Sequence, residues 1–383
     1  MKIQKVILIA FYDAYLKNLA PIAEFLQKNN IEVSFLISNF ISDRVIEQVG
    51  VSCPYQKISA NNLRQGNYEQ NADAIFVGAG GKDLIAIANS IKETVLKVSL
   101  YPGATSQDIY LGFEARISTD VILLNNSVDF DKFAKYAVDM GVNWCAPFLL
   151  GFPNFRSINH SGGNDIVIFD QTFPSMTYSE KAYWLEKIIL LANANPQRRC
   201  VIKFRNMQNE KIAHQGKYGF AKLLEIVAKR SQVPSNLIES YDSTDKALEN
   251  CGLAIAVSST ALLEALYNKI PSAVVSDFGI RSGFGNDFFI GSELFVSLDE
   301  VIAGKVPEVN KIWADEYIVA AENNYVVMLD FLTKEWHKKL ATQVLRKQVK
   351  NNFILQEIIK KNNVYGCLHL KKEVLKIEYR KFK

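Results

Sequence analysis

The 383-residue sequence is poor in cysteine and histidine, and it contains neither a CxxC nor an HExxH motif. Its five cysteines are scattered and odd in number, which argues against a disulfide framework and a structural zinc site. Asp129 and Asp131 imitate an Asp-x-Asp metal pair, but a helical pattern follows, so we interpret Asp129 as a helix cap. We therefore predict no metal site, no cofactor and a reducing compartment. The cysteines are Cys53, Cys145, Cys200, Cys251 and Cys367.

Long hydrophobic runs are also missing. No stretch approaches 18 uninterrupted apolar residues, so the sequence predicts no transmembrane helix. The apolar run 6–11 is followed closely by Asp13 and lacks a small-residue cleavage site, so we interpret it as a buried strand and not as an export signal. With 49% apolar and 22% charged residues, the composition is that of a globular protein, and we expect it in the cytoplasm.

Basic residues are concentrated at the C-terminus. Residues 334–383 carry 14 Lys and Arg against four Glu, whereas the whole chain has a net charge of only +4. A basic tail on an acidic body suggests contact with a negative surface, such as the inner face of the cytoplasmic membrane. Nucleic acid is not expected as a partner, because the tail has few aromatic residues and no nucleic-acid motif. The oligomeric state is left open.

The fold class follows from the alternation of strand-like apolar runs with helical spacing, which predicts parallel strands joined by helices. Turn-forming residues cluster in 152–164, between two halves with this rhythm. We predict two Rossmann-like, doubly wound α/β domains at 1–155 and 156–333 that face a cleft, followed by a basic helical tail at 334–383. A helix is expected over 179–194, with Ser179 as its N-cap.

Three hydroxyl residues, Ser258, Ser259 and Thr260, follow an apolar strand-like segment and precede a helical one. Hydroxyls and free backbone N–H groups at a helix N-terminus suit an anion such as phosphate. Glu264 lies about one turn further on and could face the same pocket. The pattern also fits an ordinary helix cap, since Ser and Thr are favoured there.

Two cations, Lys203 and Arg205, stand at the expected carboxyl end of another strand, with Glu210 and His214 close behind. Open α/β sheets bind ligands at this edge. Arg205 can hold a phosphate or carboxylate through two parallel hydrogen bonds, and Lys203 can act as a point charge. A solvated strand end is the alternative, and a lone histidine such as His214 is more often a surface residue.

A carboxylate follows the first expected strand, because Asp13 lies two residues after it, between Tyr12 and Lys17. At that edge Asp13 would face the cleft and could accept a proton from an attacking hydroxyl. Its alternative is a helix N-cap. The glycine turn 78–81 is neither a GxGxxG nor a Walker loop, and Gly80 within it suggests a close approach of the backbone to a ligand.

These segments together resemble a largely uncharacterised family of bacterial glycosyltransferases of the GT-B type, over residues from about 6 to 320. The resemblance implies a GT-B fold with C-terminal helices, a nucleotide-sugar site in the second domain, Asp13 as an inverting general base, and no metal. Cleft positions would include Tyr12, Lys17, Gly80 and Arg116. The segments that carry it are Tyr12-Asp13-Ala14-Tyr15-Leu16-Lys17, Tyr101-Pro102-Gly103, Gly112-Phe113 with Arg116, Lys203-Phe204-Arg205 with Glu210 and His214, Ser258 to Ala265, Pro271 and Asp277-Phe278-Gly279.

A more distant similarity to bacterial sialyltransferases and Kdo transferases concerns the donor. It implies a CMP-linked nonulosonic acid, such as a sialic acid-like sugar or Kdo, transferred to a bacterial surface glycan in lipopolysaccharide, lipooligosaccharide or capsule. The Ser-Ser element of those enzymes matches at Ser258 and Ser259. Their His-Pro element is replaced by Phe204-Arg205-Asn206, which leaves UDP- and GDP-sugars open.

Two other functions fit the same architecture. A nucleotide-sugar epimerase would convert the donor with no acceptor present. A membrane-bound scaffold without catalytic activity would release no nucleotide from any donor and acceptor pair.

Overall fold

The computed structural model describes residues 2–105, 109–160, 162–170, 176–204, 220–228 and 232–351, and side chains for all of these except 220, 228 and 344–351. Its described strands form two sheets, one of seven and one of six strands, and all their pairings are parallel. The predicted α/β class with two Rossmann-like domains is confirmed.

The N-terminal sheet has the strand order β3-β2-β1-β4-β5-β6-β7. Its central strand β1 is buried along nearly its whole length, as expected for a strand covered by helices on both faces. The strands are β1 Lys5–Ala10, β2 Glu32–Ser38, β3 Tyr55–Ile58, β4 Ala74–Gly78, β5 Leu96–Leu100, β6 Val121–Leu124 and β7 Ala146–Leu149. The helices are α1 Asp13–Lys28, α2 Asp43–Val49, α3 Ala60–Gln65, α4 Gly81–Ser90, α5 Ile109–Arg116 and α6 Ser127–Asp139.

The C-terminal sheet has the strand order β10-β9-β8-β11-β12-β13. Its strands are β8 Asp165–Phe169, β9 Cys200–Lys203, β10 Leu237–Ser240, β11 Cys251–Ala256, β12 Ser272–Val275 and β13 Phe295–Val296. Its helices are α7 Tyr178–Ala194, α8 Phe220–Ala228, α9 Thr244–Leu248, α10 Ala261–Tyr267, α11 Leu298–Ile302 and α12 Lys311–Tyr317. Short 3-10 helices occur at Ser282–Phe284, Asp287–Phe289 and Glu322–Asn324.

The last described helix, α13 Tyr325–Asn351, returns to the N-terminal domain. Tyr325, Met328 and Leu332 pack in the same core as the buried residues of β1 and β2. The expected start of the tail at residue 334 falls inside this helix, and residues 352–383 lie outside the described ranges. No described helix is both long enough and apolar enough to span a bilayer.

The chain crosses between the domains twice, and the two crossings are hydrogen-bonded to each other. Phe152 N–H donates to Val319 O at 2.7 Å, and Ala321 N–H donates to Phe152 O at 3.2 Å. Gly151 makes this approach possible, because its φ is +92° and a Cβ atom there would lie 2.7 Å from Val319 O. These hydrogen bonds join the two segments that connect the domains.

One helix start differs from the expected one. Thr177, and not Ser179, is the N-cap of α7, because its hydroxyl accepts a hydrogen bond from Glu180 N–H. The Glu180 carboxylate in turn accepts from Thr177 N–H at 2.7 Å. This reciprocal pair satisfies two backbone donors, which a cap at Ser179 would leave unpaired.

Candidate active site

The candidate site lies where the strand order reverses in each sheet. In the N-terminal sheet the reversal is between β1 and β4, and in the C-terminal sheet it is between β8 and β11. Ligands of open parallel sheets bind beyond the carboxyl ends of the strands at this point. Asp13 follows β1, the glycine turn 78–81 follows β4, and the hydroxyl segment 258–260 follows β11. The residues predicted from sequence therefore fall at the two reversal points.

The two domains touch at this place. A Cβ atom on Gly103, just beyond β5, would lie 2.9 Å from Cγ2 of Thr260. The absence of a side chain at Gly103 therefore allows this close approach. Asn18 of α1 supports the same loop, since its amide donates to Pro102 O at 3.0 Å. The N-terminal loop after β5 and the hydroxyl segment after β11 are thus in contact.

The three hydroxyls play different local roles. Ser258 donates to Phe284 O, and the Ser259 hydroxyl accepts from Ala261 N–H at 3.2 Å. Thr260 occupies the N-cap position of α10, but its side chain makes no capping hydrogen bond. Ser259 thus satisfies one backbone donor at the start of α10, although it precedes the N-cap position, and the ordinary side-chain N-cap is absent from this helix.

Lys203 is the cation that the structure places at this edge. Its side chain is buried, and Nζ donates to Phe204 O at 2.8 Å. Its charge acts on Glu264, whose pKa it lowers. Arg205, Glu210 and His214 lie outside the described residues, so their expected roles stay predictions.

Two further charged residues, Asp170 and Lys181, were not identified from the sequence. Asp170 directly follows β8, at the strand reversal, and its N–H donates to Lys203 O at 3.0 Å. Lys181 of α7 is buried, and burial lowers its pKa while the Asp170 charge opposes that effect. The position of Asp170 immediately after an apolar run was the signal that could have revealed it.

Glu264 of α10 is the titrating group of the site. Burial raises its pKa to about 8, and repulsion by Asp245 adds to the increase. Lys17, Lys203 and a hydrogen bond from Asn154 Nδ2 at 2.8 Å act in the opposite direction. The carboxyl group is therefore mostly protonated at neutral pH and can donate a hydrogen bond to a ligand oxygen.

Asp13 is the first residue of α1 and is half-buried. The N-cap position of α1 is occupied by Tyr12, so the alternative interpretation of Asp13 as a helix N-cap is wrong. Lys17 lies four residues further on, on the same face of the helix. The Lys17 charge lowers the pKa of Glu264 and of Asp245 in the C-terminal domain. This face of α1 is therefore directed towards the polar groups of the second domain.

Two expected cleft residues have roles inside the N-terminal domain. A Cβ atom on Gly80 would lie 3.1 Å from the Tyr15 hydroxyl, so the glycine turn packs closely against α1. Arg116, expected at the cleft, is only 3% exposed and lies in the interior. Its guanidinium stacks 3.5 Å from the centroid of the Tyr101 ring and donates to Leu100 O at 3.1 Å. Arg116 thus stabilises the carboxyl end of β5 from the interior of the N-terminal domain.

Asp129 is not the cap expected from the sequence but the third residue of α6, and its side chain is buried in the N-terminal domain. It accepts hydrogen bonds from Thr105 at 2.5 Å and from Asn126 Nδ2 at 2.8 Å. Asn126 is the N-cap itself, since its side chain accepts from Asp129 N–H. Over the described ranges, no three His, Cys, Asp or Glu side chains are grouped so that they could hold a metal ion.

The pKa of Glu264 predicts a pH dependence of stability. Between about pH 4.5 and 8 the folded protein keeps a proton on Glu264 that the unfolded chain releases, so stability falls as the pH rises through this range. For one proton the free energy of unfolding falls by at most about 1.4 kcal/mol per pH unit. We expect Glu264→Gln to remove this fall, because glutamine does not titrate. Urea unfolding of both proteins from pH 5 to 9 measures it. A parallel pH dependence in the two proteins would contradict the raised pKa.

The family comparison matches most of the chain. The model of the family described as "Putative glycosyltransferase (DUF6716)" matches residues 6–332. No curated protein matches the sequence.

Similar solved structures also cover most of the chain. One is UDP-GlcNAc 2-epimerase from Neisseria meningitidis bound to UDP-GlcNAc, with a TM-score of 0.60, 12% identity, and coverage of 86% of this chain and 100% of that one. Another is a protein from Listeria monocytogenes described as a putative UDP-N-acetylglucosamine 2-epimerase. Its TM-score is 0.59 and its sequence identity 13%, and the match covers 84% of this chain and 92% of that one. A third is TcCGT1 in complex with UDP, with a TM-score of 0.55, 10% identity, and coverage of 88% of this chain and 100% of that one. At these identities the likeness shows the fold, which is of the GT-B type.

Proposed function

Because the chain belongs to the DUF6716 family of putative glycosyltransferases, we propose that it transfers a sugar from a nucleotide-activated donor to a hydroxyl group of a glycan. The observation that carries this proposal is the meeting of two polar strand edges. Asp13 and Lys17 belong to one edge, and Thr260, Glu264 and Lys203 belong to the other. Such a meeting suits a reaction in which the acceptor and the donor are held by different domains.

The donor side of the proposal is the C-terminal domain. Lys203, together with Arg205, would neutralise the donor phosphate or carboxylate, and Ser259 and Thr260 would supply hydroxyl donors. Preorganised cations and donors of this kind stabilise the charge that develops on the leaving phosphate. Glu264, mostly protonated at neutral pH, would donate to a hydroxyl or ring oxygen of the nucleoside. No step of this proposal needs a metal ion.

The acceptor side is the N-terminal domain. Asp13 would take the proton from the acceptor hydroxyl, whose oxygen then attacks the anomeric carbon of the donor sugar. The bond from that carbon to the phosphate oxygen breaks, and the nucleotide leaves with the electron pair. A single direct displacement inverts the anomeric configuration.

Two classes of nucleotide-sugar donor fit this proposal. The sequence resemblance favours a CMP-linked nonulosonic acid, such as a sialic acid-like sugar or Kdo, and a surface glycan of lipopolysaccharide, lipooligosaccharide or capsule as its acceptor. The replacement of the His-Pro element by Arg205 and Asn206 favours a UDP- or GDP-sugar instead. Two structures of similar fold hold UDP-GlcNAc or UDP, which supports the UDP alternative.

A second function, epimerisation of a nucleotide sugar, has support from the fold, since two of the similar structures are described as 2-epimerases. The two reactions differ in their need for an acceptor. Incubation with the donor alone gives an epimeric nucleotide sugar in one case and an unchanged donor in the other. The proposal also keeps attachment of the basic segment 334–383 to an anionic membrane surface, which rests on sequence alone.

We expect one nucleotide among CMP, CDP, UDP and GDP to raise the free energy of unfolding selectively. At about 100 times its dissociation constant, a ligand that binds only the folded state adds about 2.7 kcal/mol. Thermal unfolding with each nucleotide measures this, and AMP is the matched control. If none of the four nucleotides shifts the midpoint, the proposed donor site is wrong.

A further inference from the structure

An exposed aromatic ring, that of Phe40, lies beside Tyr12 and has no part in the function described so far. Phe40 follows β2, at the same sheet edge as Asp13, and is 51% exposed. Its ring is parallel to that of Tyr12 within 7°, at a centroid distance of 6.2 Å. Phe11 is buried beneath and meets both rings edge-on, at 4.9 Å and 5.6 Å. The buried ring therefore fixes the orientation of the two outer ones.

The backbone around Phe40 is held in place. Phe40 N–H donates to the Ser38 hydroxyl at 3.3 Å, and Ile41 N–H donates to Ser38 O at 3.0 Å. Ser38 and Ile41 are both buried. Since Ser38 and Ile41 are anchored in the domain, Phe40 stays at the surface because of the turn and not because of loose packing.

Polar groups border the two rings. The Tyr12 hydroxyl donates to Asp83 Oδ2 at 3.0 Å, and Arg64 Nε lies 2.7 Å from Asp83 Oδ1. The Arg64 guanidinium also lies 5.2 Å from the centroid of the Phe11 ring. Arg64 is partly exposed and uses only Nε in this ion pair, so its remaining N–H groups can bind hydroxyl oxygens of a ligand.

We propose that Tyr12 and Phe40 form a platform on which a pyranose ring of the acceptor glycan stacks, with Arg64 and Asp83 binding its hydroxyl groups; this inference rests on the proposed function. The faces of aromatic rings carry negative charge density and attract the C–H groups that line one face of a pyranose. The sugar rim, by contrast, carries hydroxyls that match the donor and acceptor atoms of Arg64 and Asp83.

The position of the rings favours a sugar over other occupants. Tyr12 adjoins the candidate base Asp13 in sequence, and both follow β1, so the platform lies at the same sheet edge as that residue. A lipid chain would have to desolvate the Arg64–Asp83 ion pair at the border, which is costly. A small apolar face with charged neighbours on one side fits an amphipathic ring better than hydrocarbon.

Phe40→Ala should raise the KM for the glycan acceptor about tenfold, while the dissociation constant of the stabilising nucleotide stays within about twofold. Phe40→Trp should restore the acceptor KM, because it keeps an aromatic face. Tyr55→Ala is the matched control, since Tyr55 of β3 has the same exposure of 51% in the same domain. An unchanged acceptor KM in Phe40→Ala overturns the platform, and so does an equal increase in Tyr55→Ala.

Saturation-transfer NMR tests the platform without turnover. The probes are methyl β-glucoside, methyl β-galactoside and methyl N-acetyl-β-glucosaminide. We expect the intact protein to transfer saturation to the protons on one ring face of at least one sugar, and Phe40→Ala to lose it. Undiminished transfer in Phe40→Ala, or none from the intact protein to any of the three, overturns the inference. Sugar binding without any stabilising nucleotide would instead overturn the transferase proposal alone.

Discussion

Asp13→Asn is expected to lower the turnover number at least about 100-fold, which is the smallest usual effect of losing a general base. The amide keeps the shape of the side chain but cannot take the proton of the acceptor hydroxyl. Nucleotide affinity should not change, because Asp13 begins α1 in the N-terminal domain whereas Lys203 and Glu264 belong to the other domain. Steady-state kinetics and nucleotide titration of the same preparations give both quantities.

The control for this variant is Asp43→Asn. Asp43 is the first residue of α2, just as Asp13 is the first residue of α1, so both variants lose a negative charge at a helix N-terminus. Such charges contribute about 0.3–1 kcal/mol to stability. Equal losses of activity in the two variants would show that Asp13 acts through stability. A fall in nucleotide affinity as large as the fall in turnover would make Asp13 a positioning residue.

Buried strands could be predicted from sequence, whereas edge strands could not. The sequence predicts strands at 121–124, 165–169 and 272–275, and β6, β8 and β12 begin and end at those residues because each is a short, mostly buried run. The strands β3, β7, β10 and β13 were not predicted, and these four stand at the edges of the two sheets. Most of their residues are exposed or half-buried, and the sequences of β3 and β10, Tyr-Gln-Lys-Ile and Leu-Ile-Glu-Ser, carry little apolar pattern. An edge strand forms because a neighbouring strand offers backbone hydrogen bonds. The local sequence pattern does not show this pairing, so the strand is not predicted.

The candidate site was predicted only where its residues form local motifs. Ser258 to Thr260 and Lys203 each follow an apolar run, and a strand end is visible in the sequence. Asn154 and Lys181 were not identified, because one comes from the segment that joins the domains and the other from a helix face. Their relation to Glu264 and Asp170 depends on how distant elements pack. Arg116 was misplaced for the same reason, since nothing local distinguishes a buried arginine from an exposed one.

Lys203→Met is expected to lower the turnover number by roughly 10²–10³-fold, the usual loss when one group that stabilises a developing charge is removed. Methionine has nearly the volume of lysine, so the buried position stays filled and the loss is that of the charge. Because Lys203 lowers the pKa of Glu264, that pKa should rise further in the variant. The fall of stability with pH should then extend above pH 8, as urea unfolding across the range would show.

Lys97→Met separates this effect from the general cost of removing a buried lysine. Lys97 is also a buried strand lysine, in β5, but it lies near the amino end of its strand and its Nζ is 3.7 Å from Glu93. We expect both variants to lose stability and only Lys203→Met to lose nucleotide affinity and turnover. Nucleotide titration of the two variants at pH 7 decides the matter. If Lys203→Met bound the nucleotide as tightly as Lys97→Met and turned over as fast, the donor phosphate would have to bind elsewhere on the C-terminal sheet edge.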